Sequence, residues 1–431
     1  MATSNGTGSI GSQEVIDVSI ASSPCDIDVV PSLLDDISAL GKDLSGDDRD
    51  GRLTLLEKAR CLVRALETPR ETMLKHCGAQ TASFFCLALG NDVGLFKQMA
   101  TGGGSPSKVE SLAKALEFEV DLLRELSRWR ILRHLAAMGY ICQTGPDEYK
   151  PTNFSKAMAI PIVADGYPLY AYAKIEPMAY FHKWLKMNGY KSPKDLSNNP
   201  QTFGHRTDLP FFDWLQANPP YATVFNNHMG GYRLGRPSWM DPEVYPVEDN
   251  LISGFDHGDN DGKPVMLVDI GGSYGHDLAE FRRKYPNAPG RLVLQDLPRV
   301  LDKITSLEEE IERMPYDFLT PQPIKGARAY YTHQILHDYP DDRCVEIVKQ
   351  VKEAMIPGYS KFLLNEHVIP AMGANWEATY LDLYMMVMFS ARERTEDDWR
   401  ELLEKRCGLQ ICKFWDPGHG VEAIIECQLP Q

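Results

Sequence analysis

Hydrophobic positions along the chain follow two successive rhythms. From Leu53 onward, Leu55, Leu56, Ala59, Leu62, Val63 and Leu66 recur at helical spacing, and a second helical stretch is predicted over 71–89. Gly102 to Gly104 break the pattern. Ser107 and Glu110 then form a capping-box pattern ahead of Leu112, Ala113 and Leu116. A further helix is predicted to carry Val120, Leu122, Leu123, Leu126 and Leu132, stopping at Met138-Gly139-Tyr140. Ile141-Cys142, a Gly-Pro-Asp turn and Tyr149-Lys150 predict a small hairpin. Helix, turn, helix and hairpin follow in winged-helix order.

The rhythm changes at Val265, where short apolar runs alternate with amphipathic stretches. Strands are predicted over 265–270, 291–296, 327–336 and 361–368, with helices over 276–285, 341–355, 376–390 and 395–406. Two more strands, 409–415 and 421–429, close the chain. Such alternation predicts an α/β domain with a mostly parallel sheet covered on both faces, and a terminal antiparallel pair as its edge. No internal repeat is visible.

Residues 1 to about 50 are rich in Ser, Gly and Asp with little periodicity, which predicts a flexible tail. The expected organisation is therefore a tail over 1–50, a helical module over 51–164, and a connector with the α/β domain over 165–431. The connector, 165–255, is unusually aromatic, with Tyr167, Tyr170, Tyr172, Tyr180, Phe181, Trp184, Phe211, Phe212, Trp214, Tyr221 and Phe225. Those rings fit helix packing and fit the wall of a pocket for a flat ligand.

Composition narrows the function classes. A formal net charge of −15 argues against a phosphate backbone as the main partner, and the 112–137 stretch mixes acids with its arginines. The winged-helix order is therefore read as a dimerisation or lid module, with DNA binding or scaffolding as the rival. Nine cysteines without a C-x-x-C pair are neither a disulfide framework nor a zinc signature, and fit reduced thiols in the cytosol. The N-terminus lacks the charged and apolar regions of a signal peptide, and no apolar run is long enough to span a bilayer. A cytoplasmic protein is expected, without nucleic acid or membrane as a partner.

The strongest local signal is Val268-Asp269-Ile270-Gly271-Gly272-Ser273-Tyr274-Gly275, between a predicted strand and helix. Gly271, Gly272 and Gly275 let backbone approach a ligand closely and turn sharply into the helix. Asp296 ends the next strand, where a carboxylate can accept the hydroxyls of a ribose. Together they point to an adenosyl ligand. Asp269 would repel a pyrophosphate but accommodate a cationic amino group or sulfonium, which favours S-adenosylmethionine over NAD.

On these residues the chain resembles the dimeric, metal-independent small-molecule O-methyltransferases of plants and fungi. The resemblance runs from about Leu53 to Leu429. It rests on Leu267 to Gly272, Gln295-Asp296-Leu297-Pro298, Tyr316-Asp317-Phe318, Ile335 to Asp341 with His337 at its centre, and Arg392-Glu393-Arg394-Thr395. It implies a winged-helix-like dimerisation domain ahead of a Rossmann-like methyltransferase domain, a homodimer, and S-adenosylhomocysteine as product. By position it implies a cofactor site of Asp269, Gly271, Gly272, Gly275, Asp296, Leu297, Asp317, Phe318 and His333, the last standing where relatives often have Lys. It implies His337 as general base flanked by Glu366 and Glu393. It implies acceptor contacts from Tyr221, Phe225, Met229, Met385 and Phe389, and no metal. Ser273 departs from the middle glycine of many relatives.

The chemistry has its own logic. A phenol has a pKa near ~10, so a nearby imidazole can take its proton as the oxygen attacks. A carboxylate on the other ring nitrogen fixes the tautomer and steadies the imidazolium. The predicted activity is methyl transfer from S-adenosylmethionine to a hydroxyl of a small aromatic, polyketide or alkaloid metabolite. A non-methylating, S-adenosylmethionine-binding rearrangement enzyme is the rival within the family, and an NAD-dependent reductase a further one.

Overall fold

In the computed structural model, which describes residues 16–116, 130–232, 234–256, 264–418 and 422–430, the apolar stripe after Leu53 lies on a helix spanning Arg49–Leu66. Asp48 caps that helix by accepting from the Gly51 amide at 2.8 Å. The chain divides into two units, Met1–Val93 with Thr101–Thr152, and Gly94–Ala100 with Asn153–Gln431. Residues 153–164 thus group with the second unit, earlier than the expected boundary.

In the first unit the expected tail is corrected. A helix runs from Val30 to Asp43, because Val30, Leu33, Leu34, Ile37 and Leu40 recur on one face beneath a Ser- and Asp-rich surface. Lys58 pairs with Asp36 at 2.7 Å, and the Cys25 and Asp26 amides donate to the carbonyls of Glu67 and Ala65. Residues 1–15 lie outside the described set. The 71–89 stretch is three consecutive helical segments, Pro69–Leu74, a wider turn Lys75–Gln80 and Thr81–Asp92. The capping box sits at Thr68 and Glu71. The one expected at Ser107 and Glu110 is absent: Ser107–Lys108 forms strand β1, and helix Val109–Ala115 starts without a side-chain cap. The predicted helix through Val120, Leu122, Leu123 and Leu126 lies outside the described residues. The hairpin is β2 (Ile141–Gly145) and β3 (Glu148–Pro151), giving the order β1-β3-β2.

The second unit is an α/β domain built on a seven-stranded sheet in the order β6-β5-β4-β7-β8-β10-β9. Strands β4 (Val265–Ile270), β5 (Arg291–Asp296), β6 (Ile311–Pro315), β7 (Ala329–His333) and β8 (Lys361–Glu366) are parallel. β10 (Ala423–Gln428) runs antiparallel between β8 and β9 (Gln410–Trp415). Val421, placed in that last strand by the sequence, lies outside the described residues. β6 was not anticipated, since an edge strand reading Ile-Glu-Arg-Met-Pro carries no apolar run.

Period-two alternation divides the core. Val268, Ile270, Val293, Tyr330, Phe362 and Leu364 pack on one face with Ile347, Val348 and Trp399. Leu267, Leu292, Leu294, Ala329, Tyr331 and Leu363 pack on the other with Leu278, Phe281, Trp239 and Tyr245. Each fully buried Leu, Val or Phe contributes about 1.5–3 kcal/mol, so the strand ends are rigid anchors. From β4 the chain steps outward to β5 and β6, then returns to β7 and β8 on the other side. Ligands bind such sheets at the carboxyl ends flanking this reversal.

Helix Tyr221–Tyr232 lies so close to Ile162 that a Cβ on Gly231 would meet its carbonyl oxygen at 2.1 Å. Gly231→Ala is expected to lower unfolding free energy by about 1–3 kcal/mol in urea titrations. Gly41→Ala, with open space around it on helix Val30–Asp43, is expected to raise it by up to about 1 kcal/mol. Equal responses would contradict the packing described.

Candidate active site

The turn after β4 is built by left-handed backbone. Gly271 has φ of 74° and Gly275 of 77°, and Ser273 adopts 52° although it carries a side chain. Its amide donates to Asp296 Oδ2 at 2.8 Å, and Leu297 donates to Asp296 Oδ1 at 2.7 Å. Asp296 therefore ties the end of β5 to the glycine turn, and the departure at Ser273 is accommodated by that bond. A Cβ on Gly271 would come within 2.7 Å of Ile335 Cδ1, and one on Gly272 within 2.3 Å of the Asp269 carboxylate. Asp269 is buried at the end of β4. Phe318 faces the same turn and meets Tyr339 edge-on, while Asp317 Oδ1 accepts from the Leu319 amide. Bare backbone, a carboxylate at each of two strand ends and an aromatic edge suit an adenosyl group bearing a cation. His333 is a strut, its Nδ1 lying 2.9 Å from Asp277 Oδ2 on the helix that follows the turn.

His337 sits just past β7 on a single helical turn, Leu336–Asp338, and is buried. Its Nδ1 lies 2.7 Å from Glu393 Oε1. Glu366, at the end of β8 and expected to flank the ring, accepts from the backbone amides of Ile335 at 3.0 Å and Leu336 at 2.8 Å. It secures the start of the turn. The end is secured by Arg394, whose guanidinium donates to the carbonyls of Leu336 at 2.9 Å and Tyr339 at 3.0 Å and to Asp341 at 2.7 Å, while stacking on Trp399. Charged groups thus clamp the turn at both ends.

Burial works against charge on the His337 ring, but Glu393, Asp338, the hydrogen bond to Glu393 and Glu366 together outweigh it and push the ring up to about 10. Burial raises Asp338 to about 6, opposed by His337, and Glu366 to about 7, opposed by His337 and the Leu336 amide. Asp338 Oδ1 is 3.5 Å from His337 Nε2, the nitrogen that Glu393 leaves available.

Tyr221, Phe225, Met385 and Phe389 meet in one apolar cluster with Phe211 and Phe212. Phe212 lies 5.6 Å from Phe225 and 5.3 Å from Phe389 between ring centroids. Met229, on the same helix as Tyr221, is half-buried outside that cluster. Arg394, Asp338 and Lys174 went unrecognised in the sequence. Arg394 and Asp338 lie inside motifs already singled out, whereas nothing in the pattern of the aromatic stretch separates Lys174 from its other cations, such as Lys183 and Lys186.

Residues 262–409 match a family model described as an O-methyltransferase domain. The chain is 34% identical to the O-methyltransferase mpaG of Penicillium brevicompactum over 404 residues, 92% of this chain and 98% of that protein. A solved structure described as a pericyclic reaction enzyme superposes with a TM-score of 0.82 at 29% identity, covering 93% of this chain and 99% of that one. OxaC, solved with S-adenosylhomocysteine and oxaline, superposes at 0.80 with 26% identity over the same shares.

Because His337 gains carboxylate partners on folding, it holds its proton more tightly in the folded chain, near 10, than unfolded, near 6.5. That stabilisation is complete below the unfolded value and is lost as pH rises through the folded one. The stability advantage of the wild type over His337→Gln is expected to shrink steadily between about pH 6.5 and 10 in urea unfolding. An advantage independent of pH would contradict the pairing.

Proposed function

The chain belongs to the S-adenosylmethionine-dependent O-methyltransferase family, and from that premise we propose that it methylates a hydroxyl of a small, flat secondary metabolite with His337 as the base. The observation that carries the reading is the buried His337 ring held 2.7 Å from Glu393, two residues past the Ile335 side chain that faces Gly271. Asp269, Gly271, Gly272, Gly275, Asp296, Leu297, Asp317 and Phe318 would hold the cofactor, with His333 bracing the helix beside them. Bound S-adenosylmethionine supplies a methyl group already activated on a sulfonium, whose positive charge disfavours a second cation nearby. The neutral His337 ring, which that positive charge favours and which rising pH populates, is raised toward the basicity of a phenolate, so from that form taking a phenol's proton costs little free energy. Glu393 steadies the resulting imidazolium. Glu366 and Arg394 act as positioning residues by fixing the turn. Tyr221, Phe225, Met229, Met385 and Phe389 would line the acceptor side, their rings suiting a flat molecule.

We further propose that the first unit joins two copies into a homodimer, since Leu56, Val63, Leu66, Met73, Leu74, Phe85 and Leu89 are exposed apolar side chains there. Light scattering is expected to give about twice the 48.5 kDa chain mass; a single-chain mass would contradict the dimer. A second reading, a rearrangement without methyl transfer, is favoured by the similarity to the pericyclic reaction enzyme. The paired His337 and Glu393 favour methyl transfer over it, because proton abstraction is what they supply.

Release of S-adenosylhomocysteine, measured against a panel of hydroxylated aromatics and polyketides, separates the two readings. Methyl transfer requires that product in step with the methylated acceptor; acceptor conversion without it favours rearrangement and overturns the proposal. His337→Ala is expected to lower kcat by roughly 10²–10⁴-fold while S-adenosylhomocysteine binding stays unchanged. Glu393→Gln acts in the same direction and by less. Glu366→Gln keeps both backbone hydrogen bonds and costs least.

A further inference from the structure

Lys174 ends the segment Leu169–Lys174 and is buried, yet its ammonium makes no hydrogen bond and no ion pair to any described residue. It rests over aromatic faces, 4.5 Å from the Tyr170 centroid and 5.5 Å from that of Tyr384. The carboxylate whose field reaches it is Asp338, the residue that follows His337 and approaches its Nε2. Tyr384 precedes Met385 on helix Trp376–Phe389, and His228, which meets Tyr170 edge-on at 5.7 Å, shares helix Tyr221–Tyr232 with Tyr221 and Phe225. Lys174 therefore sits between the two helices that carry the expected acceptor wall.

A buried ammonium with three donors and no acceptor is costly unless something else meets it. Burial lowers Lys174 to about 8, with Asp338 opposing, so it stays largely protonated near neutral pH. Burial and the Lys174 charge hold His228 down near 4, so that ring stays neutral and adds no competing cation.

We propose that Lys174 is an acceptor-binding residue, its ammonium receiving a carbonyl oxygen of a flat acceptor whose hydroxyl is presented to His337. This deepens the methyltransferase reading and rests on it. The substrate class is a hydroxyl conjugated to a carbonyl, either an enolised 1,3-dicarbonyl or a phenol bearing a carbonyl. When such a hydroxyl loses its proton to His337, the negative charge delocalises onto the carbonyl oxygen, where the ammonium meets it. Asp338, 3.5 Å from the imidazole and acting on the ammonium through its charge, holds the two to one edge of the ligand. A phenol without the carbonyl leaves Lys174 unmet.

The full chain, saturated with S-adenosylhomocysteine, is titrated calorimetrically with 4-hydroxycoumarin, whose hydroxyl is conjugated to a carbonyl, and with 1-naphthol, a flat phenol without one. The wild type is expected to prefer 4-hydroxycoumarin by about tenfold or more, the effect of one charge-assisted hydrogen bond. Lys174→Met removes that preference while 1-naphthol and S-adenosylhomocysteine bind as before, and Lys174→Arg retains most of it. A preference that survives in Lys174→Met, no preference in the wild type, or equal loss of both probes in the variant overturns the proposal. Failure of methyl transfer is read separately, from S-adenosylhomocysteine release, and leaves the probe preference measurable.

Discussion

A buried imidazolium must be paired, and the contact between His337 and Glu393 meets that constraint. The two residues are far apart in sequence, one on the turn after β7 and the other ahead of the helix beginning at Glu396. Breaking a buried ion pair by removing one partner leaves an uncompensated charge, a loss of about 3–5 kcal/mol. The surrounding structure therefore has to hold the pair together, and it does so through the backbone. Glu366 fixes the amides that start the turn and Arg394 fixes the carbonyls that end it, while the sheet supplies immobile anchors for both.

The same arrangement sets the chemistry. Three carboxylates around one ring raise its basicity toward that of a phenolate, at the cost of crowding negative charge in a buried place. Burial first, and the Glu393 charge after it, raise Glu366 and Asp338 in turn. Lys174, whose charge reaches Asp338, offsets part of that crowding. Lys174, Asp338, His337, Glu393 and Glu366 thus share one electrostatic frame, and a change at any member reaches the others.

The parallel sheet was legible because β4, β5, β7 and β8 are apolar runs ending at glycines, acids or the His337 motif. β6 was not, since its alternation of Glu312 and Arg313 at an edge reads as loop. The helix Val30–Asp43 was concealed by composition: its apolar face is narrow and its surface Ser- and Asp-rich, and a low-complexity reading overrode the periodicity. Ser107 went to a strand because pairing with Tyr149 outcompeted a local cap. At the site, the identities of His337, Glu366 and Glu393 were readable from motif order. What Glu366 holds was not, because backbone amides look the same in every sequence. Arg394 and Lys174 acquire their roles only through burial and contacts across the fold, which spacing does not encode.

The central claim is that the His337 ring, held by Glu393, receives the acceptor's proton during methyl transfer. It is tested most directly by the pH dependence of the single-turnover rate, measured with cofactor and acceptor both saturating. The account predicts that the rate rises with pH as the ring loses its proton, and that His337→Gln is both slow and without that limb. An identical pH profile and rate in the variant would contradict it.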